Sequence, residues 1–388
     1  MKSYQTILNE NRAWAEEIFG KVDRKMQAMT LRSRDKLPDG VDENGIHKNL
    51  YPQKKNWWCN GFWGGLNYLL YDYTKNEEYL KTAKRSEELM DDSLADYKGL
   101  DHDLGFRWHI LSGAGYRLTG DKKSKTRNLF AASVLASRYV LTPKHGFIRA
   151  WNHNPEQTCN WSIIDCLMNL PLLYWASGEV NDDRFTRIAM AHADMALEDH
   201  LRADGSVNHI VEHDRETGEV VKTYGGQGIA EGSSWSRGQA WAVYGFVISY
   251  LHTKEQRYLD AAKSAANYFI ANVCDDWLPR VDFRAPAEPV YYDATAGAVT
   301  ACGLIELAKL LPENEGGMYM NAAVRIMHAM TDAFCDFDPA NDHMLGYGTI
   351  RYPVKPEWME GVHISIIYGD YFYTEALLKL LGSEFNPW

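Results

Sequence analysis

The 388-residue chain has no CxxC pair, no apolar run near the ~18 residues that a membrane span requires, and no surplus of basic charge. Each absence excludes something. Six cysteines, at positions 59, 159, 166, 274, 302 and 335, are scattered without metal-ligand or redox spacing, as expected of unbridged thiols in a reducing compartment. The first nineteen residues contain no apolar signal core, so no secretory signal is expected and the cytoplasm is the expected location. With 52 acidic against 41 basic residues, the net charge of −11 argues against nucleic acid as a general partner. A few local arginines or lysines can still hold a small anion. HExxH, Cys/His zinc spacing, the P-loop and GxSxG are all missing. Gly225-Gly226-Gln227-Gly228 has no βαβ unit around it and is no dinucleotide fingerprint. Chemistry is therefore expected from carboxylates, with no metal and no cofactor.

Strand signals are also scarce, and helical periodicity dominates. Apolar residues make up 45% of the chain, with 23 Tyr and 13 Trp among the aromatics. Flat rings in such number suit a carbohydrate cleft as well as a large core. A unit recurs along the sequence: an apolar helix rich in small residues, a short polar turn, then a helix with one charged face. The turns fall near residues 75–78, 120–123, 181–184, 254–257 and 312–317. Adding an opening helix near residues 4–29 and a closing one near 365–381 makes twelve. Six buried inner and six amphipathic outer helices predict an all-α fold, an (α/α)6 barrel closed end to end. No Pro/Ser-rich linker interrupts it, so residues 1–388 are expected to form one catalytic domain.

In such a ring every inner helix starts at the same end, and the connections leading into these helices are the long ones. Long loops converging on one face are where sites are built. The residues capable of chemistry fall there: Trp57-Trp58 before the first inner helix, His102-Asp103 before the second, and Asp165 at the third. The fourth is preceded by His209 and Gln227 and opened by Trp235-Ser236-Arg237-Gly238-Gln239-Ala240-Trp241. Asp293 and Asp370 open the last two and read as structural helix caps. Asp165 is different, because Ile163, Ile164, Leu167 and Met168 flank it and a carboxylate in apolar surroundings is costly unless paired or protonated. Arg237, between two tryptophans, offers a planar fork that suits a carboxylate.

Four segments resemble the unsaturated glucuronyl hydrolases of glycoside hydrolase family 88: His102-Asp103-Leu104-Gly105-Phe106, Ile164-Asp165-Cys166-Leu167-Met168-Asn169, Trp235 to Trp241, and Gly369-Asp370-Tyr371-Phe372-Tyr373. The similarity spans roughly residues 57–381. It implies a hydrolase that takes the Δ4,5-unsaturated glucuronic acid from the non-reducing end of lyase-generated glycosaminoglycan fragments. Such an enzyme adds water across C4=C5 instead of attacking the glycosidic bond. By this resemblance Asp165 is the general acid and base, its pKa raised by an apolar setting and a like-charged neighbour. Asp103 is the second essential carboxylate. Arg237, His209, Gln227 and Trp235 would hold the uronate, and Trp58 and Trp241 would stack on the sugars. The partners implied are unsaturated uronyl disaccharides and oligosaccharides. The sister activity on pectin-derived fragments, that of unsaturated rhamnogalacturonyl hydrolases, is the alternative. Members favouring sulfated fragments carry Ser-x-x-Ser-x-Lys before the last helix. Here that stretch reads Tyr347-Gly348-Thr349-Ile350-Arg351-Tyr352-Pro353-Val354-Lys355, which lacks the serines. Arg351 and Lys355 remain as cations there, but the resemblance carries no sulfate preference to this chain.

Overall fold

The short turns between paired helices repeat one piece of chemistry. In the computed structural model, which describes residues 2–388, α2 (Asn60–Thr74) ends on Lys75 in the left-handed region, and Asn76 then caps α3 (Glu77–Met90). The same step links α4 (Ala114–Thr119) through Gly120 and Asp121 to α5 (Lys122–Ser137). A threonine precedes the left-handed residue in both. Its hydroxyl donates to the carbonyl four residues back, Leu70 or Gly115, at 2.7 Å and accepts the N–H of the cap residue. Thr253-Lys254-Glu255 repeats this between α9 (Ser236–Thr253) and α10 (Gln256–Asn272). A left-handed stop followed by a new cap reverses the chain within two or three residues, so successive helices must pack antiparallel.

The remaining helices are α1 (Tyr4–Arg32), the short α6 (Pro155–Thr158), α7 (Pro171–Val180), α8 (Arg184–Met195), α11 (Ala294–Leu310), α12 (Glu313–Phe334) and α13 (Ile367–Leu380). α9, α11 and α13 are buried nearly all round, whereas α3, α8 and α10 bury one face only. Around the inside, α2 packs on the helix containing α4, that on the one containing α7, and so through α9, α11 and α13 back to α2. α1 lies against α12, α13 and α3, closing the outer layer. This is the (α/α)6 barrel expected from the repeat. Among the described residues no helix is long and apolar enough to cross a membrane.

Two features depart from the sequence reading. The second and third inner helices do not open as α-helices: residues Gly105–Gly113 form a π-helix ahead of α4, and Ile164–Asn169 form a 3-10 helix ahead of α7. Irregular turns of this kind are frequent at functional sites. The connections also hold small sheets. One pairs β1 (Tyr139–Leu141) with β2 (Gly146–Ile148), and the other orders β3 (Trp161–Ile163), β4 (Ile210–His213) and β5 (Val220–Tyr224) antiparallel. The β4–β5 hairpin was legible as two β-branched runs around the Asp214–Gly218 turn, but the surrounding helical periodicity masked it.

Close approach of inner helices requires glycine at specific points. A Cβ on Gly61 in α2 would collide with the carbonyls of Phe106 and Arg107 across the helix interface, and backbone cannot rotate aside. Gly61→Ala is expected to lower folding stability by about 1–3 kcal/mol, read as a fall in the denaturant midpoint with an unchanged slope. An unaltered midpoint would show that the two helices have freedom to separate.

Candidate active site

The amino ends of the inner helices surround a cavity of about 1100 Å³. Asp103, Asp165, His209, Gln227, Arg237 and Trp58 line it together. Six of the eight residues singled out in the sequence therefore share one space.

The two aspartates are held by the irregular openings of their helices. Asn169, at the end of the 3-10 turn that carries Asp165, accepts the Phe106 N–H at 2.8 Å. A Cβ on Gly105 would run into Asn169, so the two turns meet as closely as backbone allows. Asp101 accepts the Asp103 N–H at 3.1 Å, and buried Arg107 binds the Asn56 carbonyl, tying this loop to the first inner helix. Asp165 follows directly from β3. The Ile164 N–H donates to the His209 carbonyl at 3.1 Å, and Ile163 pairs with Ile210 in the sheet. The β3–β4 pairing is thus what sets His209 beside Asp165.

Burial pushes the Asp165 carboxyl up to about 7, with the Arg237 charge opposing the rise. One of its oxygens, Oδ1, is buried with no hydrogen-bond partner among the described residues, and His209 Nε2 is 3.6 Å away. Burial comes first; the like-charged neighbour expected from the sequence is Asp103, whose ionisation is linked to that of Asp165. The neighbour effect is felt by Asp103: burial first, then Asp101 and Asp165, hold it well above the usual carboxylate range. His209 is driven down to about 3 by burial, so its ring is neutral. His209 Nδ1 accepts the Gln227 main-chain N–H at 3.0 Å and lies 3.3 Å from the Gly225 carbonyl, so the 225–227 loop holds the ring with Nε2 facing Asp165. His102 lines the cavity beside Asp103 with Nε2 3.6 Å from that carboxylate, and burial holds it at about 4.

Arg237 does not wait as a free fork. It is fully buried and donates to Asp293 at 2.5 Å, to the Thr349 carbonyl at 2.8 Å and to the Ile350 carbonyl at 2.7 Å. Asp293 caps α11 through Thr295 and also accepts the Thr349 N–H at 3.2 Å. The Gln227 side chain donates to the same Ile350 carbonyl. Both residues therefore brace the loop before α13 as well as lining the cavity.

Two tryptophans are not where stacking on sugar would require them. Trp241 is wholly buried between Phe106 and Phe372, with ring centres 5.1 and 5.5 Å away. It lies four residues beyond Arg237, one helical turn deeper into the barrel, which places it in the core and not at the mouth. Trp235 is 2% exposed and backs the site, 4.3 Å beneath the His209 ring and 4.6 Å from the Arg237 guanidinium. Trp58 does line the cavity, propped by Tyr368 at 4.9 Å. Asp370 is not a cap: the α13 cap is Ile366, and Asp370 accepts the Leu345 N–H at 2.7 Å, with burial raising it to about 7.

Several other walls carry no local signature. Trp151 and His153 stack at 4.9 Å on the loop after β2, and Phe334 and Tyr347 stack at 4.2 Å on the opposite side, all four lining the cavity. Aromatics in the long connections were the one available signal, and it does not say which rings turn inward. Arg351 lines the cavity and lies 4.9 Å from the Trp358 ring, whereas Lys355 reaches the same ring from outside the cavity wall.

The protein family described as Glycosyl Hydrolase Family 88 matches residues 32–282. The chain is 34% identical to an unsaturated glucuronyl hydrolase of Bacillus sp. (strain GL1), over 93% of this chain and 96% of that protein. It is 32% identical to an unsaturated chondroitin disaccharide hydrolase of Streptococcus pneumoniae, over 98% and 96% respectively. The crystal structure of the unsaturated glucuronyl hydrolase from Streptococcus agalactiae superposes with a TM-score of 0.89 at 28% identity, covering 97% of this chain and 94% of that one. A variant of that streptococcal enzyme has been solved with dGlcA-GalNAc6S bound. With a family match over most of its length and relatives that span nearly all of it, this chain belongs to glycoside hydrolase family 88.

Proposed function

We propose that this chain removes Δ4,5-unsaturated glucuronic acid from the non-reducing end of glycosaminoglycan-type disaccharides and oligosaccharides by hydrating the C4=C5 bond. The observation that carries the reading is Asp165: a buried carboxyl raised to about 7, with an unpartnered oxygen, in a cavity large enough for a disaccharide. Protonated Asp165 donates to C4, and positive charge develops at C5 and the ring oxygen. Water adds at C5 while the Asp165 carboxylate takes its proton, which restores the acid. The C5 hydroxyl so formed belongs to a hemiketal, which opens and releases the aglycone sugar. No bond to the anomeric carbon is attacked, so the usual relation between carboxylate spacing and stereochemistry does not apply.

The other residues take supporting parts. Asp103, its carboxyl raised by burial and by its two acidic neighbours, engages sugar hydroxyls and titrates as a pair with Asp165. His209 presents Nε2 at the reacting end. Arg237 supplies positive charge to the uronate side while its pairing with Asp293 limits how far it acidifies Asp165. Trp58 offers the stacking face. Trp235 and Trp241 act from behind, as packing. We read the whole chain as one catalytic domain. The six cysteines are all unbridged, which suits a reducing compartment, and the cytoplasm is the location proposed.

Unsaturated disaccharides from hyaluronan and chondroitin are expected to lose the ultraviolet absorbance of their double bond on incubation with the protein. Loss confined to rhamnogalacturonan fragments would move the activity to pectin, and no loss with any of them would overturn the reading.

Asp165→Asn is expected to lower kcat by about 100- to 10,000-fold with little change in KM. Because the acid form is the reactive one and its pKa is raised, wild-type kcat/KM should hold from pH 5 to 6.5 and fall about tenfold per unit above about 7. His102 and His209 stay neutral over that range and add no limb to it. A profile already falling from pH 4 would place the proton elsewhere.

Trp58→Ala is expected to raise KM about tenfold, the loss of roughly 1.4 kcal/mol of stacking contact, at nearly constant kcat. Trp241→Phe should leave KM as it was. The reverse outcome would return Trp241 to the sugar face.

A further inference from the structure

On the far side of β3 from the cavity, three segments bring His145, Asp199 and His213 together. The ligand-type atoms all lie within 4.8 Å of one another. His145 stands on the β1–β2 turn, Asp199 on the helical residues after α8, and His213 at the end of β4. Asp199 divides its oxygens: Oδ1 takes Lys144 Nζ at 2.9 Å, while Oδ2 faces His145 Nε2 at 2.5 Å and His213 Nδ1 at 3.6 Å.

A hydrogen-bond chain fixes which nitrogen of His213 is bare. His200 Nδ1 lies 2.9 Å from the Asn208 carbonyl, which can only accept, so this nitrogen carries the proton. His200 Nε2, the other ring nitrogen, is then the acceptor for the Ser162 hydroxyl at 2.8 Å. The Ser162 oxygen is then free to accept from His213 Nε2–H at 2.9 Å. That leaves a lone pair on His213 Nδ1. This atom is completely buried, has no hydrogen-bond partner among the described residues, and points at a carboxylate oxygen. Two lone pairs facing each other in a buried space repel unless a proton or a metal cation lies between them.

We propose that His145, Asp199 and His213 form a structural site for a borderline first-row divalent cation of the zinc type. Two imidazole nitrogens and one carboxylate oxygen are a donor set for such an ion and a poor one for magnesium or calcium. Tetrahedral zinc places its ligands about 3.3 Å apart. To meet that, the short hydrogen bond between His145 and Asp199 opens by about 0.8 Å and His213 moves in by about 0.3 Å. The Ser162 bond on the opposite nitrogen of His213 is the outer support that metal-bound histidines use to fix ring orientation. Local charge agrees: around Lys144 Nζ lie Asp199, Glu198 and Glu219, at 2.9, 3.2 and 3.5 Å, three carboxylates to one ammonium. The ion would staple the β1–β2 hairpin to β4, the strand that begins next to His209. The sequence shows no ligand spacing because the three residues come from three distant segments.

The test is to strip the full-length protein with a chelator, return one equivalent of zinc chloride, and measure bound metal and thermal midpoint in wild type and His145→Ala. One zinc per chain is expected, with a rise on the order of 5 °C in wild type. His145→Ala should lose both while keeping its turnover of unsaturated disaccharide. Magnesium should give no shift. A cobalt(II) titration of wild type covers the case of a variant that fails to fold. Visible bands of tetrahedral intensity support the site, and only octahedral ones refute it. Failure to retain zinc, or a shift that persists in His145→Ala, would leave the cluster as a hydrogen-bonded one and overturn the proposal.

Discussion

A carboxylate removed from water with one oxygen unsatisfied is expensive, by several kcal/mol if it stays charged. At Asp165 the protein avoids most of that cost by keeping the group protonated up to about pH 7. The same condition makes it a usable proton donor to carbon. Much of the surrounding structure is a way of holding this one side chain in an apolar, pre-formed place. The ring supplies depth, since inner helices packed without gaps exclude water from below. The 3-10 turn of Ile164–Asn169 lets the chain enter that ring with Asp165 at its rim and Ile164, Cys166 and Leu167 anchored inside.

Two further arrangements guard the balance. A free guanidinium nearby would pull Asp165 back down towards ordinary acidity, and Arg237 does oppose its rise. Arg237 is partly neutralised by Asp293 at 2.5 Å, and it also donates to the Thr349 and Ile350 carbonyls. The ion pair therefore joins α9, α11 and the loop before α13 while moderating the field at the acid. On the other side Asn169 and Gly105 press the two carboxylate turns together, so that ionisation of Asp165 is felt at Asp103. On the proposed reading, catalytic electrostatics and loop support are the same contacts.

The barrel was legible because its signals are local. Turn residues such as Lys75-Asn76 and Gly120-Asp121, and the alternation of small apolar with charged helices, are written within a dozen positions each. The carboxylates were legible for a similar reason: an Asp among Ile and Leu stands out on chemical grounds. What escaped depends on depth or on distance along the chain. Trp241 has the composition of a sugar platform, but a single helical turn puts it in the core. The partner of Arg237 is 56 residues away, so its fork looked free. Phe334 and Tyr347 meet across a loop whose path no local pattern specifies. Asp370 occupies a helix start yet serves the Leu345 amide, because the loop folds back over it.

Burial is the main reason that Asp165 stays protonated near neutrality. A carbon-13 NMR titration of aspartate-labelled protein, with the Asp165 carboxyl assigned by its disappearance in Asp165→Asn, measures this without substrate. The structure predicts a midpoint near 7 that stays raised in Asp103→Asn. A midpoint near 4, or one that drops to that value in Asp103→Asn, would contradict it.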